Sequence, residues 1–204
     1  DQEWVLQANK MLYSTGRQDL EYRILWPNQQ VRWIRARTHL ITDQDGVPIR
    51  IDGLMTDITE RHCAQEQLRH DALHDGLTGL ANRNLLKDRL EQALKRNQRQ
   101  DDKLFAILFL DLDRFKIVND SLGHQVGDQL LIEVANRFEK CQRSQDTVAR
   151  LGGDEFVILL EELDSFNDAL KITQRIHQAL LPPIVLDDRE IFVTASIGIA
   201  FGSP

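Results

Sequence analysis

Residues 151–156 read Leu-Gly-Gly-Asp-Glu-Phe, two glycines followed at once by two carboxylates, with apolar chain on either side. Gly152-Gly153 between two β-rich runs is a hairpin-turn signal, because both residues can take positive φ without steric cost. That explains the glycines and leaves the acids. Asp154 and Glu155 would stand at the tip of a strand, residues 156–160, that otherwise reads as buried. Adjacent carboxylates there are costly unless something cationic sits among them. A second acidic step, Asp111-Leu112-Asp113, falls where the apolar run 104–111 leaves the core. Carboxylates at two strand ends are what a Mg²⁺-nucleotide site needs. The ion wants hard oxygen ligands, takes one or two carboxylates, and fills its other positions with phosphate oxygens and water.

Downstream come Phe115, Lys116, Asn119, Asp120, Gly123, His124, Gly127 and Asp128. Lys116 can meet a phosphate as a point charge, and Asn119 with Asp128 offers a purine edge both donors and acceptors. Taken singly each is ordinary. Asp111 could simply end a strand, Asn119 and Asp120 read as turn residues, and Asp128 falls in the first turn of a helix, where acids are favoured anyway.

The elements that must position these residues alternate along the chain. Residues 21–26, 31–41 and 49–58 read as an antiparallel meander, with Asp45-Gly46 marking its second turn and Val31, Trp33, Ile34, Leu40 and Ile41 to bury. From 59 to about 74 the pattern is helical and charged, with Ala64, Leu68 and Ala72 forming a stripe narrow enough for a two-helix seam. Helices are predicted over 84–99, with Asn82 as N-cap, over 127–142, and over 165–181, stopped by Pro182-Pro183. The run 104–111 reads as a strand covered on both faces. Residues 147–151 and 156–160 form the hairpin around the glycines, and 184–186 with 191–200 a further hairpin across Asp187-Asp188. The order fits a layered α/β domain with helices covering a central sheet.

Composition bounds the partners. A net charge of −7 over 204 residues argues against a nucleic-acid-coating surface but not against nucleotides, whose phosphates arrive with a divalent metal. Cys63 and Cys141 are far apart and lack metal-ligand spacing, so reduced thiols in the cytoplasm are expected. No stretch approaches the roughly 18–20 apolar residues of a membrane span. The chain opens without Met and stops inside an apolar run, so it is expected to be a piece of a longer protein, in which a membrane anchor or a further domain could lie.

The series Asp75-x-Leu77-Thr78-Gly79-Leu80-x-Asn82-Arg83, then Asp111-x-Asp113-x-Phe115-Lys116-x-x-Asn119-Asp120-x-x-Gly123-His124-x-x-Gly127-Asp128, then Gly152-Gly153-Asp154-Glu155-Phe156, resembles the GGDEF family of diguanylate cyclases. Ser196-Ile197-Gly198-Ile199-Ala200 resembles that family's late core strand. Residues 21–62, closing on Gly53-Leu54-Met55-Thr56-Asp57-Ile58-Thr59, look like the C-terminal half of a PAS sensor domain. The expected organisation is a partial PAS domain over 1–58, a signalling helix over 59–74, and a GGDEF domain over 75–204. The resemblance implies an α+β, palm-like nucleotidyl-cyclase fold with a mostly antiparallel sheet flanked by helices, preceded by a partial antiparallel PAS sheet.

It also implies an activity: condensation of two GTP into cyclic di-GMP and pyrophosphate across a homodimer interface. By position, Asp111, the Leu112 carbonyl and Asp154 would bind Mg²⁺ or Mn²⁺. Glu155 would assist deprotonation of the 3′-hydroxyl or bind a second metal. Phe115 and Lys116 would meet phosphate, Asn119 and Asp128 would read guanine, and Gly152 and Gly153 would leave room for the nucleotide. Arg143-x-x-Asp146, with Arg175 on the next helix, resembles the family's inhibitory product site. The alternative is a silent GGDEF domain that binds GTP or cyclic di-GMP and regulates an adjoining phosphodiesterase domain. The family's last helix, which supplies a Lys and an Arg to the triphosphate, would follow Pro204, so turnover is expected of the longer parent. The ligand of the sensor part is left open among haem, flavin, small acids and none.

Overall fold

The computed structural model describes residues 2–97 and 104–202, so positions 98–99 of the expected helix and 203–204 of the expected domain lie outside the described residues. The chain divides into two compact units, Asp1–Arg69 and His70–Pro204. In the first, helix α1 (Gln2–Thr15), which the sequence reading had not placed, precedes the sheet β1 (Arg17–Leu25), β2 (Val31–Thr42), β3 (Pro48–Asp57) in antiparallel order β1-β2-β3. Asp43 builds the second turn by accepting the amides of Asp45 and Val47 at 3.0 and 2.7 Å. Pleating then decides burial. Ile34 and Ala36 share one face and are buried. Val31 and Ile41, expected in the core, are exposed because they share the other face with the Asp19–Arg35–Arg37 charges. Trp33 lies on that charged face too, half-buried under the His62 ring, which stacks on it at 4.2 Å.

Helix α2 (Thr59–Leu73) starts where the Asp57 carboxylate accepts the Thr59 amide at 2.9 Å, and it buries none of its residues. The boundary between the two units falls within it. Among the described residues no helix is long and apolar enough to cross a membrane.

The second unit is built on a four-stranded antiparallel sheet, in order β5 (Thr147–Gly152), β6 (Glu155–Leu163), β4 (Leu104–Leu112), β9 (Ala195–Gly202). Ala106, Leu108, Leu110 and Leu112 point from β4 into the main core, with α5 (His124–Glu139) and α6 (Phe166–Leu180) supplying Leu130, Val134, Phe138, Ile172 and Ile176. On the opposite face α3 (Arg83–Asn97) covers Phe105 and Ile107. That cover stops short of Phe109, which is 53% exposed, so β4 is not enclosed on both faces as its unbroken apolar run suggested. Asn82 caps α3 as expected, its Oδ1 accepting the amides of Asn84 and Leu85 at 2.9 and 3.1 Å.

Two further expectations change. The hairpin across Asp187-Asp188 joins β7 (Ile184–Leu186) to β8 (Arg189–Ile191), both of its turn residues having positive φ. The chain then leaves that ribbon, and residues 195–202 pair with β4 instead. The stretch read as turns around Asn119 is a helix, α4 (Phe115–Leu122), and α5 begins at His124 rather than at 127. Phe115, Val118, Asn119 and Leu122 follow the i, i+3, i+4, i+7 spacing of one helical face, a pattern masked by the polar residues between them.

Candidate active site at the glycine turn

Antiparallel pairing of β4 with β6 sets Asp111 opposite Glu155, and the Leu112 amide donates to the Asp154 carbonyl at 3.4 Å. Three carboxylates thus crowd one sheet end. Burial first, and then the negative charges of Asp154, Glu155 and Asp113, push the Asp111 pKa above the usual carboxylate range. Among the described residues no basic side chain pairs with Asp111, Asp154 or Glu155. Asp113 is different: hydroxyl hydrogen bonds from Thr194 and Ser196 hold its pKa below the usual range.

Gly152 and Gly153 turn the chain at φ 139° and 55°, and both would strain a residue with a side chain. Arg150 clamps this turn. Its Nε and Nη2 donate to the Gly153 carbonyl at 3.0 and 2.8 Å, and its Nη1 donates to both oxygens of Asp75 at 2.9 and 3.2 Å. Asp75 also accepts the Thr78 amide and hydroxyl at 2.9 and 2.6 Å. The turn that presents Asp154 and Glu155 is therefore tied to the loop that opens this unit. Nothing local in the sequence marks Arg150 for this part, because its acid lies 75 residues away. Burial would raise the Asp75 pKa, but the hydrogen bonds from Thr78 and Arg150 outweigh it and hold the value low. A lowered carboxylate pKa contributes stability above the unfolded value, near 4, that is lost as pH falls through the folded value. Arg150→Ala is expected to destabilise the unit by about 2 kcal/mol, since it leaves Asp75 and the Gly153 carbonyl short of donors. Urea unfolding at pH 7 and at pH 3 checks this, and the loss should shrink at the acid end.

Helices α4 and α5 carry the other candidate residues. Phe115 is buried at the start of α4 and Lys116 beside it is exposed. Gly127 brings Asn119 against α5, because a Cβ at Gly127 would lie 1.9 Å from the Asn119 Oδ1. Asp128, the next residue along α5, is exposed, and Asn119 is half-buried. An open cleft of about 690 Å³ adjoins Asp111, with Arg114, Ile117, Phe192 and Thr194 in its lining.

Arg143 and Asp146 share a turn away from this cleft. The buried Asp146 carboxylate accepts the backbone amides of Arg143 and Glu161 at 2.9 and 3.3 Å. Burial raises its pKa, opposed by those amides and by the charges of Arg143 and Arg175. Arg175 also donates to the Cys141 carbonyl. The three residues come together, with the Asp146 carboxylate turned toward the backbone rather than outward.

The donor set at the glycine turn fits a hard divalent cation. It offers carboxylate and carbonyl oxygens, with no basic side chain paired to them among the described residues. Among the described residues no three acidic, His or Cys side chains enclose an ion by themselves.

Residues 72–204 match the family model described as "Diguanylate cyclase, GGDEF domain", and residues 1–55 match a PAS fold. The bifunctional diguanylate cyclase/cyclic di-GMP phosphodiesterase MucR of Pseudomonas aeruginosa is 51% identical over 137 residues, which is 67% of this chain and 20% of MucR. Diguanylate cyclase TpbB of Pseudomonas aeruginosa is 46% identical over 65% of this chain and 31% of TpbB. The crystal structure of its GGDEF domain superposes with TM-score 0.59, at 43% identity, over 61% of this chain and 77% of that one. The coiled coil and GGDEF domain of DgcB from Caulobacter crescentus, solved in complex with c-di-GMP, superposes with TM-score 0.65 at 28% identity, covering 72% and 78%. The chain spans between a fifth and a third of the length of these two curated relatives.

Proposed function

The chain belongs to the GGDEF family of diguanylate cyclases, and from that premise we propose that it condenses two GTP into cyclic di-GMP, releasing two pyrophosphates. The observation that carries the reading is the set Asp111, Asp154 and Glu155, brought to one sheet end with no basic side chain paired to them among the described residues. Asp111, Asp154 and the Leu112 carbonyl hold Mg²⁺ or Mn²⁺. When bound, the ion neutralises charge on the phosphates. Phe115 and Lys116 bind phosphate through their amides and the Lys116 ammonium, a small anion nest. Asn119 and Asp128 read guanine, and Gly152 with Gly153 leaves the nucleotide room. Glu155 accepts the proton as each 3′-hydroxyl attacks the α-phosphate of the other nucleotide in line. The rest is positioning, as in phosphoryl transfer generally.

One unit presents one GTP, so two copies must meet face to face as a homodimer. The rate per protomer should therefore climb with protein concentration at saturating GTP and Mg²⁺. A rate independent of concentration in a monomer would refute the half-site mechanism. Arg143 and Arg175 supply the charges of the product site that restrains this reaction, and Asp146 holds the Arg143 turn through its backbone hydrogen bonds. Arg143→Ala is expected to raise the inhibitory concentration of cyclic di-GMP by about tenfold or more, the loss of one charged hydrogen bond. Titration of initial rates with added product reads this directly.

The PAS-like unit is the sensor, and α2 carries its signal by a change in helix packing that moves the half-sites. Use of GTP places the catalytic unit in the cytoplasm. A second reading, a silent domain that regulates a phosphodiesterase in the same parent, draws on the likeness to cyclic di-GMP phosphodiesterase NbdA of Pseudomonas aeruginosa, 42% identical over 74% of this chain. The intact Asp154 and Glu155 favour the enzyme.

A further inference from the structure

We propose that Asp113 is a positioning residue rather than a metal ligand, and that with Thr194 and Ser196 it locks the turn carrying the Leu112 carbonyl and the Phe115 and Lys116 amides. The inference rests on the reading of the site given above. Three hydrogen bonds tie Asp113 to one short segment. Its amide donates to the Thr194 carbonyl at 2.9 Å, its Oδ2 accepts the Thr194 hydroxyl, and its Oδ1 accepts the Ser196 hydroxyl at 2.8 Å. Both carboxylate oxygens are thus satisfied by neutral donors, whereas the carboxylate of Asp111, two residues earlier, has no hydrogen-bonded partner among the described residues. The two acids of Asp111-Leu112-Asp113 therefore divide their work.

The location explains why a lock is needed. The β4–β9 ladder ends with Asp111 opposite Ser196 and Leu112 opposite Ala195. Ala195 points into the core, so pleating sends its neighbours Thr194 and Ser196 to the opposite side, toward Asp113. Immediately beyond, the chain reverses through Arg114, which has a left-handed backbone at φ 59° although it is not glycine. Such a conformation persists only where surrounding structure over-determines it. Here the Asp113 bonds lie on the β4 side of the reversal and the buried Phe115 on the α4 side. The same reversal sets the direction of the Leu112 carbonyl and of the first amides of α4. Loosening it misplaces metal and phosphate ligands together, without removing any of them.

The test measures Mn²⁺ binding by electron paramagnetic resonance in the presence of a non-hydrolysable GTP analogue, alongside turnover and thermal unfolding of the full-length protein. Asp113→Asn and the double variant Thr194→Val/Ser196→Ala are expected to weaken Mn²⁺ binding and lower kcat by about 10- to 100-fold, with the number of bound ions unchanged. Thr194→Ser, which keeps a hydroxyl, should restore most of both. The double variant retains every carboxylate, so it decides the matter even if Asp113→Asn fails to fold. Wild-type binding and turnover in a folded double variant would overturn the inference, as would loss of one whole Mn²⁺ equivalent in Asp113→Asn. A wild-type protein that binds neither Mn²⁺ nor the analogue would instead refute the site itself.

Discussion

Glu155→Gln is expected to cut cyclic di-GMP formation by about 100- to 10,000-fold while sparing GTP binding, the range a lost general base spans. The glutamate begins β6 opposite Asp111 and is exposed, with no hydrogen bond committing it elsewhere among the described residues. Glutamine keeps the shape and removes the basic oxygen, so the nucleotide contacts assigned to Asn119, Asp128 and Lys116 should persist. Parallel measurement of kcat and of GTP affinity by calorimetry separates the two effects. A variant that turns over like wild type would remove Glu155 from the chemistry. One that loses GTP binding in equal measure would make it a ligand anchor.

Mn²⁺ at about 100 times its dissociation constant is expected to stabilise the folded protein by about 2.7 kcal/mol, and Asp154→Asn to lose most of that response. Charge crowding gives the reason. Asp111 has its folded pKa raised by burial and by Asp154, Glu155 and Asp113. A raised carboxylate pKa means a contribution to stability that is complete below the unfolded pKa and lost as pH rises through the folded one. At neutral pH the metal-free site is therefore a burden that a cation relieves, and metal stabilisation should appear as pH climbs through the carboxylate range. Without metal, Asp154→Asn should unfold at the same temperature as wild type or slightly above it, because one like charge is gone. Thermal melts with and without Mn²⁺ at pH 4 and pH 7 check the sign. Equal metal responses in wild type and variant would take Asp154 out of the metal site.

The meeting of the acids was more legible in the sequence than the scaffold around them. Asp111, Asp154 and Glu155 could be paired in advance because each ends an apolar run, and strand ends of one sheet must meet somewhere. The glycine turn was readable for the same reason. What escaped were interactions set by distant partners. Arg150 looked like one more strand residue until the fold brought Asp75 beside it. Asp113 carried no role in the sequence beyond lying next to Asp111 and Leu112, since the hydroxyls that occupy it come from residues 81 and 83 positions away. The α4 helix was hidden because its polar residues, Asn119 and Asp120, also favour turns. The late strand was assigned to the wrong partner for a related reason. Local turn chemistry at Asp187-Asp188 predicts a hairpin correctly but cannot say where the hairpin ends. In the first unit, alternation along β2 was visible, but which face would bury depended on Asp19 and Arg35 meeting across the sheet.

All of these assignments converge on one reaction, and product identity tests it most directly. Full-length protein incubated with Mg²⁺ and GTP should yield cyclic di-GMP and pyrophosphate in a ratio of one to two, resolved by chromatography and ³¹P NMR. Unchanged GTP under conditions where the protein binds both metal and nucleotide, or conversion to any product other than cyclic di-GMP, would contradict the account.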